Sequence, residues 1–236
     1  MERPLSEPRA DGARRWTLAA LADVAGSIAV LVALMSVYAR FLAWVETRPG
    51  VVLPDPVLAR LQPHDLTWIT FGLIYVALAL AVVTLMRHPH ELAVGVRAYA
   101  VMVVLRMLVM AVVPLDPPPS MIPLQDPVVQ LLGTGGQLLT RDLFFSGHTA
   151  TMCLVTFAVR SRRLRWLLLA CTVGVATCVV WQAVHYTVDA LAAPVFAYAA
   201  YRISVLSTAA VARGVEEARA AAAPDVATRS LETERM

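Results

Sequence analysis

Six long apolar runs constrain what this chain can fold into. A helix needs roughly 20 mostly apolar residues to cross the hydrocarbon core of a bilayer, which is about 30 Å thick. The chain has 236 residues, of which 58% are hydrophobic and 16% charged, and it is too apolar for an ordinary soluble domain. The runs cover residues 16–39, 66–86, 92–114, 143–159, 166–184 and 186–206. We therefore predict an all-α, polytopic membrane protein with six transmembrane helices.

The composition changes on both sides of this apolar region. Residues 1–15 form a charged arm, which we expect to be cytoplasmic, and residues 16–206 form the transmembrane domain. The first run is longer than the apolar part of a signal peptide and lacks a convincing small-residue cleavage site, so we interpret it as a retained helix. Residues 207–236 are rich in alanine and charge, which indicates a cytoplasmic helix that passes into a partly disordered tail.

The distribution of arginines predicts the orientation of the helices. Arginines in short loops favour the cytoplasmic side of a membrane. Alternate loops divide into a side with ten arginines and a side with three, or four if Arg40 is included. The richer side holds Arg3, Arg9, Arg14, Arg15, Arg87, Arg97, Arg160, Arg162, Arg163 and Arg165. Both termini are thus expected in the cytoplasm, and the fourth and sixth helices are expected to begin at the external face.

Two histidines are placed at that external face. His148 opens the fourth run within "RDLFFSGHTA", and His185 opens the sixth within "WQAVHYTVDAL". A lone histidine at the start of a helix is more often a cap or a packed interface residue than a catalytic group. Their common face and similar depth favour one shared site.

His185 and Asp189 form a candidate nucleophilic pair. Their i, i+4 spacing would stack them on one face of a helix, where the carboxylate can orient the imidazole. The other ring nitrogen is then free to take up a transferred group covalently. A structural pair that closes the short external turn is the alternative. An ionisable group such as Asp189 inside a span favours a functional role.

The segment Ser146–Thr149 is a candidate phosphate site. Small and hydroxylic residues that open a helix expose backbone N–H groups at the positive end of its dipole, where anions bind. His148 could then protonate a departing oxygen. Arg106 lies about 12 Å below the outer end of the third span and could counter a phosphate there. An ion pair with a neighbouring aspartate is the alternative for Arg106, and Asp23 is interpreted as structural.

The sequence at these positions resembles a known family. The patterns D-x-x-x-S-G-H-T at 142–149 and H-Y-T-x-D at 185–189 resemble the sphingomyelin synthase branch of the type 2 phosphatidic acid phosphatase (PAP2) superfamily. "LLGTGG" at 131–136 and "LPD" at 53–55 resemble further motifs of that branch. The resemblance covers most of the chain and implies that residues 16–206 form a PAP2-like helical bundle with catalytic function.

The resemblance also implies roles for individual residues. His185 would be the nucleophile of a phosphohistidine mechanism, Asp189 would orient it, and His148 would act first as acid and then as base. The group expected to bind substrate and phosphate is Arg106, Asp142, Ser146, Gly147 and Thr149.

The chain departs from the family pattern at several positions. Residues 140–141 are Thr-Arg instead of Cys-Gly, and residues 51–52 are Val-Val instead of prolines. Val103 and Val113 replace a tyrosine and a threonine around Arg106, and Val179 lies where the superfamily's phosphatases carry an arginine. The resemblance therefore leaves the headgroup and the acceptor open.

These observations lead to one expected function and two alternatives. We expect a lipid phosphotransferase that needs neither a metal nor a cofactor, with a phospholipid substrate, a lipid hydroxyl acceptor and the bilayer as partners, and with no nucleic acid. The alternatives are a PAP2-type lipid phosphatase and a non-catalytic membrane scaffold or transporter. All basic residues are arginines, which favours a bacterial inner membrane with the site facing outward. The Pro-rich segment 114–127 is expected to cap the site or to act as a plain linker, and the oligomeric state is left open.

Overall fold

Helices account for nearly all the regular structure in the described part of the chain. The computed structural model describes residues 16–126 and 139–222, and for 219–222 it describes the backbone alone. The helices are α1 (Leu18–Glu46), α2 (Thr67–Leu85), α3 (Pro89–Val112), α4 (Gly147–Ala158), α5 (Arg162–Trp181) and α6 (Thr187–Ala222), with a short 3-10 helix at Leu58–Arg60. The predicted all-α class is confirmed at this level. The arm 1–15, "LLGTGG" at 131–136, Pro127 and residues 223–236 lie outside the described residues.

Five of these helices are long and apolar enough to cross a membrane, namely α1, α2, α3, α5 and α6. Their large apolar side chains are widely exposed, as for Leu18 at 86%, Trp68 at 78% and Val112 at 79%. Apolar surface on this scale is unfavourable in water and is expected where helices contact lipid. The chain is therefore an integral membrane protein.

The fourth predicted span is shorter in the structure than in the sequence-based prediction. The apolar run covers 143–159, whereas α4 has 12 residues, which corresponds to about 18 Å. The helix begins late because Ser146 caps it, with its hydroxyl accepting the Thr149 N–H at 3.4 Å. It ends at Ala158 because Val159 has an extended backbone. The six-span topology thus stays a prediction.

The short helix α4 lies at the centre of the bundle. Met152 and Val155 pack with α2 and α5, and Ala150, Cys153 and Leu154 pack with α3 and α6. Eight of the twelve residues of α4 are buried, including two threonines. The surrounding helices therefore cover the side chains that follow His148.

Helix α1 is longer than predicted. Its apolar run was expected to end at residue 39, but no proline or glycine follows until Pro49 and Gly50, and the helix continues to Glu46. The Glu46 carboxylate accepts the N–H groups of Thr140 and Arg141, both at 2.7 Å. This extension ties α1 to the segment that leads into α4.

An ion pair joins α1 and α3. Arg97 and Asp23 are 2.6 Å apart, which agrees with the structural interpretation of Asp23.

The chain divides into two compact units, residues 1–204 and residues 205–236. The second unit is helical as far as Ala222, since α6 continues beyond Leu206.

Candidate active site

His148 is the second residue of α4, and its ring contacts two other rings. The ring lies edge-on to Phe71 of α2, with centroids 5.7 Å apart. It also meets the ring of His185, with centroids 6.2 Å apart and an interplanar angle of 63°. The structure thus brings together the two histidines for which the sequence predicted a common position at the external face of the membrane.

His185 lies in the turn between α5 and α6 and not on a helix. The expected stacking of His185 and Asp189 on one helical face is therefore wrong in its geometry, because α6 begins only at Thr187. The proximity arises differently. Asp189 is in the first turn of α6, and one of its carboxylate oxygens accepts the Tyr186 N–H at 3.1 Å. The same oxygen lies 3.6 Å from Nδ1 of His185, so the carboxylate faces the imidazole across a distance slightly longer than a hydrogen bond.

The turn that carries His185 is held by buried polar contacts. Ala183 has a φ of 55°, in the left-handed region that non-glycine residues rarely adopt. The fully buried side chain of Gln182 accepts the Leu66 N–H at 3.0 Å and donates to the Thr67 hydroxyl at 3.0 Å and the Ile122 carbonyl at 3.3 Å. Sequence reasoning missed Gln182, although a polar amide at the end of an apolar run was an available signal.

A backbone hydrogen bond joins the two histidine segments. The N–H of Ser146 donates to the carbonyl of Asp189 at 3.2 Å. The start of α4 and the first turn of α6 are thus fixed to each other, which sets the relative position of His148 and His185.

Several buried polar atoms at this place have no hydrogen-bond partner. They are Nδ1 of His148, the hydroxyl of Thr149, Nδ1 of His185 and Oδ1 of Asp189. Buried polar groups are normally paired, and leaving one unpaired costs about 1–3 kcal/mol. Their concentration next to the two imidazoles suits a polar ligand that would supply partners.

Arg106 forms the buried polar cluster behind α4. Its Nε donates to the Tyr38 hydroxyl at 3.1 Å, and its two terminal nitrogens donate to the Phe145 carbonyl and the Asp142 carboxylate. The Tyr38 hydroxyl also donates to Asp142, at 3.2 Å. The ion pair with a neighbouring aspartate, which was the alternative for Arg106, is therefore present.

The same cluster sets the electrostatics of the loop before α4. Burial raises the pKa of the Asp142 carboxyl, but nearby positive charge, chiefly that of the Arg106 guanidinium, leaves that pKa below its usual range. The guanidinium also lies against Gly147, where an added Cβ would come within 3.0–3.2 Å of its atoms. Arg106, Asp142 and Gly147 thus form one contact group, and its positive charge lies directly behind the start of α4.

Asp55 is a further residue at this site that the sequence reasoning did not assign. Its carboxylate accepts the N–H of Thr187 at 2.7 Å and the hydroxyl of Thr187 at 3.1 Å. Burial raises the pKa of the Asp55 carboxyl, but the hydrogen bonds from Thr187, Leu58 and Val57 together leave that pKa below its ordinary value. The likeness of "LPD" to a family motif was the signal that could have found it.

The described residues offer no evident metal site. Residues 16–126 and 139–222 contain no group of three or more His, Cys, Asp or Glu side chains placed to hold a metal ion. The expectation of a metal-free reaction stays a prediction.

Comparison with known proteins gives one family match. Residues 141–205 match the family model described as PAP2 superfamily C-terminal, and this segment contains His148, His185 and Asp189. No curated protein and no solved structure matches the chain. The matched model describes the superfamily, and the sphingomyelin synthase-like branch stays a prediction. The matched segment is thus similar to PAP2 superfamily proteins, whose members are generally phosphatases or phosphotransferases.

Proposed function

We propose that the chain is a membrane-embedded lipid phosphotransferase. It would transfer a phosphoryl headgroup, of the phosphocholine or phosphoethanolamine type, from a phospholipid to a lipid hydroxyl through a phospho-His185 intermediate. The site would open to the external face of a bacterial inner membrane. The observation that carries this proposal is the convergence of His148 and His185, which come from separate elements and have ring centroids 6.2 Å apart.

In the first step His185 attacks the phosphorus. Asp189 lies near Nδ1, so it favours a proton on that atom and leaves Nε2 with its lone pair toward the substrate. A bond forms between Nε2 and phosphorus while the bond from phosphorus to the diacylglycerol oxygen breaks. His148, in its protonated form, gives its proton to that oxygen. Diacylglycerol leaves, and His148 is then neutral.

In the second step His148 acts as the base. It removes the proton of the acceptor hydroxyl, and the acceptor oxygen attacks the phosphorus. The bond between phosphorus and Nε2 of His185 breaks, which restores the neutral imidazole. Water in place of a lipid hydroxyl would give hydrolysis by the same steps.

The phosphate would be held at the start of α4. The N–H groups of the first helical turn point toward the end of the helix at which His148 lies, and a helix N-terminus attracts anions. The unpartnered hydroxyl of Thr149 can donate one further hydrogen bond. Arg106 contributes its charge from behind Gly147, and Asp142 keeps that guanidinium in place.

A PAP2-type lipid phosphatase is the second candidate. The family match favours it as strongly as the transferase, because the superfamily contains both kinds of enzyme. The two candidates differ in whether water or a lipid hydroxyl reaches phospho-His185.

The test is turnover of labelled lipids by the purified protein in nanodiscs. Phosphatidylcholine, phosphatidylethanolamine and phosphatidic acid are supplied with and without ceramide or diacylglycerol. We expect label to appear in a new lipid only when a hydroxyl acceptor is present. Release of water-soluble label from phosphatidic acid, unaffected by acceptors, would identify the phosphatase instead.

Histidine variants test the assigned roles. His185→Ala and His148→Ala should each reduce turnover by a factor of at least about 10³, in the range seen when a nucleophile or its proton-transfer partner is removed. His90→Ala is the matched control, since His90 is an exposed side chain at the start of α3. Full turnover in either of the first two variants would contradict the mechanism.

Vanadate separates an enzyme from a scaffold or transporter. It adopts the five-coordinate geometry of a phosphoryl group in transfer, so it should raise the thermal midpoint of the wild type and have no effect on His185→Ala. A wild-type protein that vanadate leaves unchanged, and that turns over none of the lipids, would favour the non-catalytic alternative.

A further inference from the structure

The Leu53–Asp55 segment contacts the two residues that follow His185, which are Tyr186 and Thr187. Leu53 donates its N–H to the Tyr186 hydroxyl at 3.2 Å, and Asp55 accepts from Thr187 as described above. The Tyr186 hydroxyl in turn donates to the Asp116 carbonyl at 2.8 Å. The residues that directly follow His185 are therefore hydrogen-bonded to the loop between α1 and α2, which is more than 100 residues away in the chain.

The backbone of His185 itself is held from the other side. Its N–H donates to the carbonyl of Val179, at 3.3 Å. The peptide chain around the imidazole is thus attached both to the end of α5 and to the Leu53–Asp55 segment. A shift of Thr187 would move the turn between these attachments.

Asp55 and Asp189 each accept one N–H group at the start of α6. The first N–H groups of a helix have no partner within the helix and need an acceptor. Asp189 takes the N–H of Tyr186, and Asp55 takes the N–H of Thr187. Without Asp55, the Thr187 N–H needs another acceptor, and the first turn of α6, which carries Asp189, loses its connection to the Leu53–Asp55 segment.

We propose that Asp55 is a positioning residue for the nucleophile. It holds the start of α6 so that the Asp189 carboxylate faces the imidazole of His185. This inference rests on the proposed function, because it assigns Asp55 to the same reaction. Asp55 acts through Thr187 and Asp189 and does not itself contact the imidazole.

Three variants test the inference by kinetics. Asp55→Ala should lower kcat by roughly 10- to 100-fold with little change in KM, as expected when a catalytic group is displaced but substrate binding is kept. Asp55→Asn retains an oxygen that can accept the Thr187 N–H, so it should recover part of the loss. Asp23→Ala is the matched control: the Asp23 carboxylate pairs with Arg97 at 2.6 Å, an ion pair between α1 and α3 that includes no residue of the His185 turn, so kcat should stay unchanged.

A second measurement reports on His185 directly. In nitrogen-15 NMR spectra, the His185 imidazole signals are assigned by their loss in His185→Ala. They should shift in Asp55→Ala, to a smaller extent in Asp55→Asn, and not in Asp23→Ala. If Asp55→Ala does not fold, the comparison of Asp55→Asn with Asp23→Ala carries the test.

The outcomes separate the two proposals. If the wild type turns over lipid and the Asp55 variants keep its kcat and its His185 signals, the positioning role is overturned while the proposed function stands. If the wild type turns over none of the lipids and does not bind vanadate, the proposed function fails. An NMR shift in the Asp55 variants would then show only a structural connection between Asp55 and His185. The proposed positioning role of Asp55 in the reaction would fail together with the proposed function.

Discussion

At the scale of single residues, the site depends on how buried charge is neutralised. Arg106 is 3% exposed, and its charge is balanced by Asp142 and by the hydroxyl of Tyr38. The guanidinium also binds the Phe145 carbonyl, which lies three residues before His148. A charge that would be costly in isolation therefore fixes the approach to α4.

Replacing Arg106 should be among the most destabilising changes in the chain. Arg106→Met leaves the Asp142 carboxylate and the Phe145 carbonyl without their donor. We expect a loss of roughly 2–4 kcal/mol in unfolding free energy, somewhat below the range for a fully buried pair because Asp142 is 28% exposed. Lipid turnover should fall as well. The measurement is unfolding in mixed detergent micelles alongside the lipid assay.

Tyr38→Phe provides the comparison for Arg106→Met. It removes one hydroxyl but keeps the ion pair, so its cost should be about 1 kcal/mol. Equal losses in the two variants would mean that the hydrogen bonds of Tyr38, and not the charge pair, hold the cluster together.

At the scale of elements, irregular backbone is stabilised by specific partners. Residues 139–146 are not helical, yet Thr140 and Arg141 donate to Glu46, Phe145 accepts from Arg106, and Ser146 donates to Asp189. Non-helical backbone at membrane depth is tolerated where protein satisfies its polar groups. This is why α4 can be short and still begin at the site.

The connection from α1 to α2 packs closely against the backbone of residues 115–116 at Gly50. Val51 pairs with Leu115 in an isolated parallel bridge, with Val51 N–H to Pro114 carbonyl and Asp116 N–H to Val51 carbonyl both 3.1 Å. A Cβ at Gly50 would overlap the backbone of Leu115 and Asp116. This bridge brings the Leu53–Asp55 segment toward the His185 turn.

Gly50→Ala should therefore destabilise the protein. We expect a cost of about 1–3 kcal/mol, typical of forced overpacking against backbone that cannot move aside. Gly26→Ala in α1 is the control, because nothing lies within 4 Å of a Cβ there and alanine is the better helix former. Thermal unfolding of both variants provides the measurement. A Gly50→Ala protein as stable as Gly26→Ala would show that the bridge can shift without cost.

At the scale of the whole molecule, the arginine distribution gives a testable orientation. Ser120 and Ser161 are both exposed, and the predicted topology places them on opposite sides of the membrane. In a variant lacking Cys153, Cys171 and Cys178, a membrane-impermeant maleimide should label Ser120→Cys in intact cells. It should label Ser161→Cys only after permeabilisation. Labelling in the reverse order would mean that the site faces the cytoplasm.

The sequence by itself determined the helical class, the membrane location and the pairing of two histidine motifs. Apolar runs longer than a bilayer is thick leave few alternatives to helices, because lipid cannot satisfy an exposed backbone. The family resemblance and the charge pattern together pointed to His148, His185 and Asp189, all of which the structure brings into one place.

Only the tertiary structure decided how that place is held together. The structure alone shows that α4 is short and that His185 lies in a turn before α6. It also shows two sets of contacts between segments far apart in the chain, which are the bonds of Arg106 to Tyr38 and Asp142 and the contact of Asp55 with Thr187. Hydrophobic periodicity records which residues face lipid or core, but it carries no information about which distant acceptor a buried donor will find. That pairing exists only once the helices have packed, because each buried polar group then has to take a partner from the few within reach.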